Sequence, residues 1–319
     1  MKNKKPLIVV AILSMLMILT GCGASSKQAL INHYDEMSNQ KSAKATFKMK
    51  VTDFDIPVKG SGDSSSAKQL IDVVKASSIT GDIYSDGKNG KGTIKLNTMN
   101  KTVPLEFVGN DKNIYMGADF YNSLFQLMSS FGMTPPKYDF SKLAGKYVDL
   151  IALMNESSSV KSKVSSDQKE AATKAVNKSQ QDSSAVLKEI IDTLPKDAVT
   201  KKDGVITATL HKEDVKKTIE IYNKYIKDHK DVDAKPIKQK DIDEFMSEFK
   251  AFDIIIKYDS KASTLNYTLT VEPKDGGKIG FEFDTKSEKY DGKIEMPSKD
   301  KIVSPTEFTN QMNAITGGH

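Results

Sequence analysis

Chemistry in this chain would have to come from one thiol, Cys22, four histidines and scattered carboxylates. His33 falls on the apolar stripe of an early helical pattern and reads as half-buried packing. His211 sits at a strand-to-helix junction, where it would bond backbone groups; His229 lies in the Lys/Asp run from Asp228 to Asp233, and His319 is terminal. No HExxH, GxSxG, GxxxxGK[ST] or EF-hand loop occurs. Asp53, Asp55, Asp82 and Asp86 fall at strand edges or turns without metal-ligand spacing. Gly87-Lys88-Asn89-Gly90-Lys91-Gly92 has the composition of a phosphate loop. It joins two strand patterns with no helix N-terminus behind it, so it reads as a hairpin turn. The sequence therefore predicts no enzyme, no catalytic residues, no metal and no cofactor. One reactive group is left to explain, the thiol.

Cys22 follows a leader with three parts. Lys2, Lys4 and Lys5 are positive, and an apolar run from Leu7 to Leu19 is interrupted only by Ser14. Leu19-Thr20-Gly21 then precedes the cysteine. Thirteen positions are too few to cross a hydrocarbon core of ~30 Å, which needs ~20 helical residues. The length suits the apolar region of a signal peptide. Leu-Thr-Gly-Cys resembles the lipobox read by lipoprotein signal peptidase. Its small residues lie extended in a protease cleft, and the thiol accepts diacylglycerol. A secreted chain with a single cysteine forms no internal disulfide, so a lipid-bearing thiol leaves none unexplained. Residues 1–21 are expected to be a lipoprotein signal peptide and 22–26 a tether. The expected location is the extracytoplasmic face of the cell membrane, with the membrane as partner through a palmitate-type anchor on Cys22.

The formal charge falls from +5 to +2 once the leader goes, because three lysines leave and no acid does. That excess does not suggest a nucleic-acid partner. Arg and Trp are absent. Since Arg is the usual bidentate grip on carboxylate or phosphate, a tight anionic-substrate site is not expected.

The elements that must position any site alternate in two rounds. After a helix from Lys27 to about Ser38, Ala45, Phe47, Met49 and Val51 alternate with polar residues as a half-buried strand. Ala67–Ala76 reads as a helix, then Ile79–Ser85, Gly92–Thr98, Val103–Val108 and Ile114–Met116 as strands. The turns between them fall at Asp86-Gly87, Met99-Asn100 and Gly109-Asn110-Asp111. Residues 120–132 form a very apolar helix, and 141–154 are either strand then helix or one helix. Residues 155–184 turn polar and read as a linker or an exposed helix. The second half repeats the grammar: a helix at Ala185–Leu194, a strand at Val205–Leu210, helices at Lys212–Lys227 and Asp241–Phe249, and four closing strands. The closing strands carry Phe252–Tyr258, Leu265–Val271, Ile279–Phe283 and Tyr290–Met296, with a turn at Ser287-Glu288. Thr306–Ala314 reads as a terminal helix. The expected fold class is α+β. Residues 27–154 and 185–314 each supply one antiparallel meander of a single curved sheet, with two separate α+β domains as the alternative.

Gly145-Lys146-Tyr147-Val148-Asp149-Leu150 and the closing hairpins Phe252–Val271 and Gly277–Pro297 carry a family resemblance. With the lipobox and the early helix, the chain resembles the LolA/LppX-like lipoprotein superfamily, most closely its uncharacterised Gram-positive members. The resemblance implies a half-barrel wrapped around helices, with an apolar cavity that holds acyl chains. The Arg with which the carriers of that fold grip their cargo has no counterpart here. Lipid or amphiphile holding is therefore implied rather than lipoprotein trafficking. Phe120, Leu124, Phe125, Met128, Phe131, Tyr147 and Leu150 are the residues expected to line such a cavity. Read without the resemblance, the same cluster is either core packing or a lining. The alternative function is an envelope scaffold without a small ligand, its lysines resting against wall polyanions. A transporter's solute-binding component ranks third, because two α/β lobes would need alternating strands and helices.

Overall fold

The computed structural model describes residues 42–55, 64–110, 112–130, 141–157, 189–190, 193–195, 198–228 and 236–316. The leader, Cys22, the tether, the first expected helix with His33, residues 158–184 of the polar stretch, Phe131, His229 and His319 lie outside these. Among the described residues the chain runs β1 (Ala43–Asp55), α1 (Ser64–Ala76), β2 (Ser78–Ser85), β3 (Gly90–Thr98), β4 (Lys101–Gly109) and β5 (Ile114–Gly117). It continues through α2 (Asp119–Ser130), β6 (Tyr147–Asp149), α3 (Leu150–Ser157), β7 (Val199–Lys202), β8 (Val205–Leu210), α4 (Lys212–Asp228) and α5 (Gln239–Ser247). The last elements are β9 (Phe249–Asp259), β10 (Thr264–Pro273), β11 (Lys278–Lys289), β12 (Ile302–Val303) and α6 (Pro305–Thr316).

The strands are ordered β12-β6-β5-β4-β3-β2-β1-β11-β10-β9-β8-β7, a large antiparallel sheet that does not close. Chain neighbours are sheet neighbours from β1 to β6 and again from β7 to β11, so two meanders are present. β12 adds in parallel, pairing Ile302 with Tyr147 and Val303 with Val148. Short turns dictate the antiparallel runs β2–β5, β7–β8 and β9–β11, since a parallel crossover needs a dozen or more residues. At the β3–β4 turn Met99 and Asn100 both have positive φ, and at the β7–β8 turn Asp203 and Gly204 do. That backbone twist suits two-residue hairpins.

The chain divides into two compact units. Among the described residues, unit I takes those from 48 to 76 and from 189 to 287. Unit II takes 42–47, 77–157 and 288–316. The units cut across the sequence halves, because residues 288–316 return to the N-terminal strands.

Unit I has a filled core. Phe252, Ile254, Ile256 and Tyr258 alternate along β9 and are buried. In register they face Leu265, Tyr267, Leu269 and Val271 on β10 and Ile206, Ala208 and Leu210 on β8. The helices α4 and α5 cover that face with Val215, Ile219, Ile242, Phe245 and Met246. Each such side chain contributes roughly 1.5–3 kcal/mol when fully buried. Glu213 and Asp214 in the first turn of α4, and Lys227 in its last, complement the helix dipole. The backbone N–H of His211 donates to Asp214 Oδ2 at 3.1 Å, the return half of a capping box.

In unit II the register sorts side chains onto two faces. One carries Ile79, Ile83, Ile94, Leu96, Val103, Leu105, Phe107, Met116 and Val148. The other carries Tyr84, Lys91, Thr93, Glu106, Val108, Tyr115 and Tyr147. The helices lie on the first face, where Ala118, Leu143, Val148, Val303 and Phe308 form a buried cluster with Tyr121, Phe125 and Leu153 against it. Gly92 has no side chain for a local reason. The Phe107 ring from the adjacent strand lies over it, and a Cβ there would sit 2.5 Å from the ring. An aromatic ring covering a strand glycine restores the missing packing.

Four expectations need correction. The Ser287-Glu288 turn does not form, because β11 runs through it. Lys286 pairs with Thr264, and residues 285–289 contain no Gly, Pro, Asn or Asp to break the strand. The Tyr290–Met296 strand is absent; there the backbone of Ile294 bonds to side chains instead of a ladder. Phe249 begins β9 rather than ending α5. The strand β7 was not expected, since Val-Thr-Lys-Lys lacks alternation, but Asp203-Gly204 folds it back on β8. The 141–154 alternatives resolve to a strand followed by a helix. Among the described residues no helix is long and apolar enough to cross a membrane.

Candidate functional site

Cys22 and Phe131 lie outside the described residues; the other six cavity residues are placed as follows. On α2, Leu124, Phe125 and Met128 are half-buried, while Leu127 is the buried residue of that helix. Phe125 packs against the Ala118–Val148 cluster, and Lys101 Nζ donates to Gln126 O at 3.2 Å, which ties α2 to β4. Leu150 is half-buried at the start of α3. Phe120 packs edge-on to Tyr121 at 5.6 Å. Phe120 also meets Tyr147 in a small recess of about 60 Å³, with Pro104, Glu106 and Gly145. Tyr147 belongs by register to the face opposite Val148. The structure thus brings Leu124, Phe125 and Met128 together and sets Tyr147 apart. Burial pushes the Tyr121 hydroxyl pKa up. Tyr147 is raised by burial first, and then by the charges of Glu106 and Asp119.

The neighbours of α2 on the sheet were not singled out by sequence. Ile79, Ile94, Leu96, Leu105, Phe107 and Met116 share the helix-bearing face of unit II, yet all are only half-buried. Ile83 and Ile114 on that face are 39% and 44% exposed. In unit I the helix-bearing face is filled, with Leu210 at 0% and Ile254 and Ile256 at 1%. The alternating strands signalled which face is apolar. No sequence signal told a buried apolar face from a half-buried one.

The opposite face of unit II carries a groove of about 720 Å³. Tyr84, Lys91, Thr93, Glu106, Val108 and Tyr147 line it from the sheet, and Lys293, Glu295, Met296, Pro297, Ser298 and Lys301 from the segment that crosses it. Ile294 plugs that segment onto the sheet at 1% exposure, against Val108 and Tyr115. Its N–H donates to Asp86 Oδ2 at 2.8 Å, and Asn89 Nδ2 donates to its carbonyl at 2.9 Å. Asp86 also accepts the N–H groups of Lys88 and Asn89. The backbone donors of Asn89, Ile294 and Lys88, in that order, hold its pKa below the ordinary 3.8.

A carboxylate so depressed stabilises the fold fully above its unfolded pKa, and that contribution is lost as pH falls through the folded value. Asp86→Ala should therefore lower hydrogen-exchange protection of the Ile294 amide at neutral pH. In the parent the same loss should appear only in acid, below the ordinary aspartate value. An unchanged protection factor at Ile294 in the variant would show that Asp86 does not anchor the segment.

His211 corrects its expectation as well. Its ring bonds a carboxylate rather than backbone, with Nδ1 donating to Asp253 Oδ1 at 2.7 Å on an exposed edge of unit I. That hydrogen bond to Asp253 is the main reason its pKa is raised. Among the described residues no three His, Cys, Asp or Glu side chains are grouped to hold a metal ion. Comparison with protein-family models and with curated proteins finds no match for this sequence.

Proposed function

We propose that this chain is a non-catalytic lipoprotein, tethered through Cys22 to the extracytoplasmic face of a cell membrane, that holds a lipid or other amphiphile. The ligand lies against the apolar face of β2–β5 beside α2, in a sheet that curves as a half-barrel around its helices, as in the superfamily the sequence resembles. The observation that supports this reading is a contrast between helix-bearing faces: β8 and β9 of unit I bury Ile206, Leu210, Ile254 and Ile256, and unit II leaves Ile94, Leu96, Leu105 and Phe107 half-buried. Beside Ile83 and Ile114, 39% and 44% exposed, these positions offer apolar surface that a ligand can cover. An acyl chain gains ~0.8 kcal/mol for each CH2 it buries there. The alternative, an envelope scaffold resting on wall polyanions, leaves the half-buried face unexplained.

The test uses the chain from Lys27 onward and a fluorescent fatty acid. Saturable binding is expected. Leu124→Trp and Met128→Trp should weaken it more than they lower the melting temperature, because an unfilled site accepts bulk. In a filled core the same changes overpack and cost ~1–3 kcal/mol of stability. No saturable binding by the parent, with strong destabilisation of both variants, would favour the scaffold.

A further inference from the structure

We propose that the groove on the Tyr84–Lys91–Val108 face of unit II is a separate binding site, for a phosphorylated saccharide. Its size falls in the ~300–1,000 Å³ range of small-ligand sites. Five charged side chains line it: Lys91, Lys293, Lys301, Glu106 and Glu295. Among the described residues none of the five stands in an ion pair; Lys91 instead lies over the Tyr84 ring at 5.2 Å. An acyl chain is excluded, because it would strip water from all five charges without compensation. A simple polyanion is disfavoured, because it would meet two carboxylates. An extended peptide lacks main-chain partners: Tyr84, Lys91 and Val108 are paired in register, so the floor's backbone groups are spent in the ladder. The remaining chemistry is a ligand with an anionic group for the lysines and neutral hydroxyl donors for the glutamates. Tyr147, Met296 and Pro297 add a short apolar wall for a sugar ring's C–H face. One wall of the groove is the segment pinned at Ile294 by Asp86 and Asn89, so the shape exists before the ligand arrives.

The experiment is calorimetric titration of the full lipidated chain in neutral detergent with glucose 6-phosphate, glucose, inorganic phosphate and an extended peptide of mixed Lys and Glu. Glucose 6-phosphate should bind saturably, at least ten-fold tighter than each of the other three. The double variant Lys293→Gln with Lys301→Gln should weaken it at least ten-fold without moving the thermal midpoint, since both side chains are exposed. Lys278→Gln removes a lysine of unit I that pairs with Asp53 and should change nothing. The proposal is overturned if inorganic phosphate binds as tightly as the sugar phosphate, if the peptide is preferred, or if the double variant binds like the parent. The fatty-acid assay probes the other face of the sheet, so its outcome stands apart from this one.

Discussion

Cys22→Ala should abolish incorporation of a palmitate analogue and leave the precursor uncleaved. The effect is all-or-none for a chemical reason. The thiol sulfur is the only atom at position 22 that can take diacylglycerol, and the chain contains no second cysteine to substitute for it. Cleavage before the cysteine depends on that modification, so both readouts should fail together. Two acyl chains on one sulfur also suffice for stable anchoring, where a single chain gives only marginal attachment. Pulse-labelling with the analogue, followed by gel mobility of parent and variant, makes the check. A variant labelled and processed like the parent would remove the anchor from the proposed function and leave the apolar face to be explained on its own.

Asn223→Ala should cost unit I about 2–6 kcal/mol, from two orphaned backbone groups at about 1–3 kcal/mol each. Asn223 is 7% exposed on α4. Its Nδ2 donates to Ile237 O at 2.6 Å, and its Oδ1 accepts the Ile237 N–H at 2.8 Å. One amide thus satisfies both backbone groups of a buried residue just before α5, and truncation strands both. Asn223→Asp keeps the acceptor but loses the donor, so it should also destabilise. Lys224→Ala, one residue on, removes only an exposed pair with Glu189, worth ~0–1 kcal/mol. Urea unfolding of the three variants gives the comparison. An alanine variant within about 0.5 kcal/mol of the parent would show that the pair of bonds is dispensable.

The grammar of this protein was legible because it is local. Alternation placed the inward residues of β9 and β10, and the stripe of Val215, Ile219 and Ile226 placed the buried side of α4. Turn dipeptides such as Met99-Asn100 fixed antiparallel connections, since two residues at positive φ leave the chain no other direction. The sequence failed where a partner decides. Ser287 and Glu288 stay in β11, which lies between β1 and β10 in the sheet, and Ile294 leaves the strand state because Asp86 and Asn89, more than two hundred residues earlier, take its backbone groups.

The candidate site divides in the same way. The proposal of lipidation at Cys22 comes from sequence alone, as does the apolar character of α2 from Phe120 to Met128. Whether an apolar strand position is filled depends on how closely the covering helix approaches, and no residue encodes that distance by itself. Leu105 and Ile256 have the same pattern in sequence, yet one is half-buried and the other 1% exposed. The groove belongs to tertiary structure entirely. Lys91 and Lys301 are ordinary surface lysines in the sequence, and they share a site only because residues 288–301 return across the N-terminal strands.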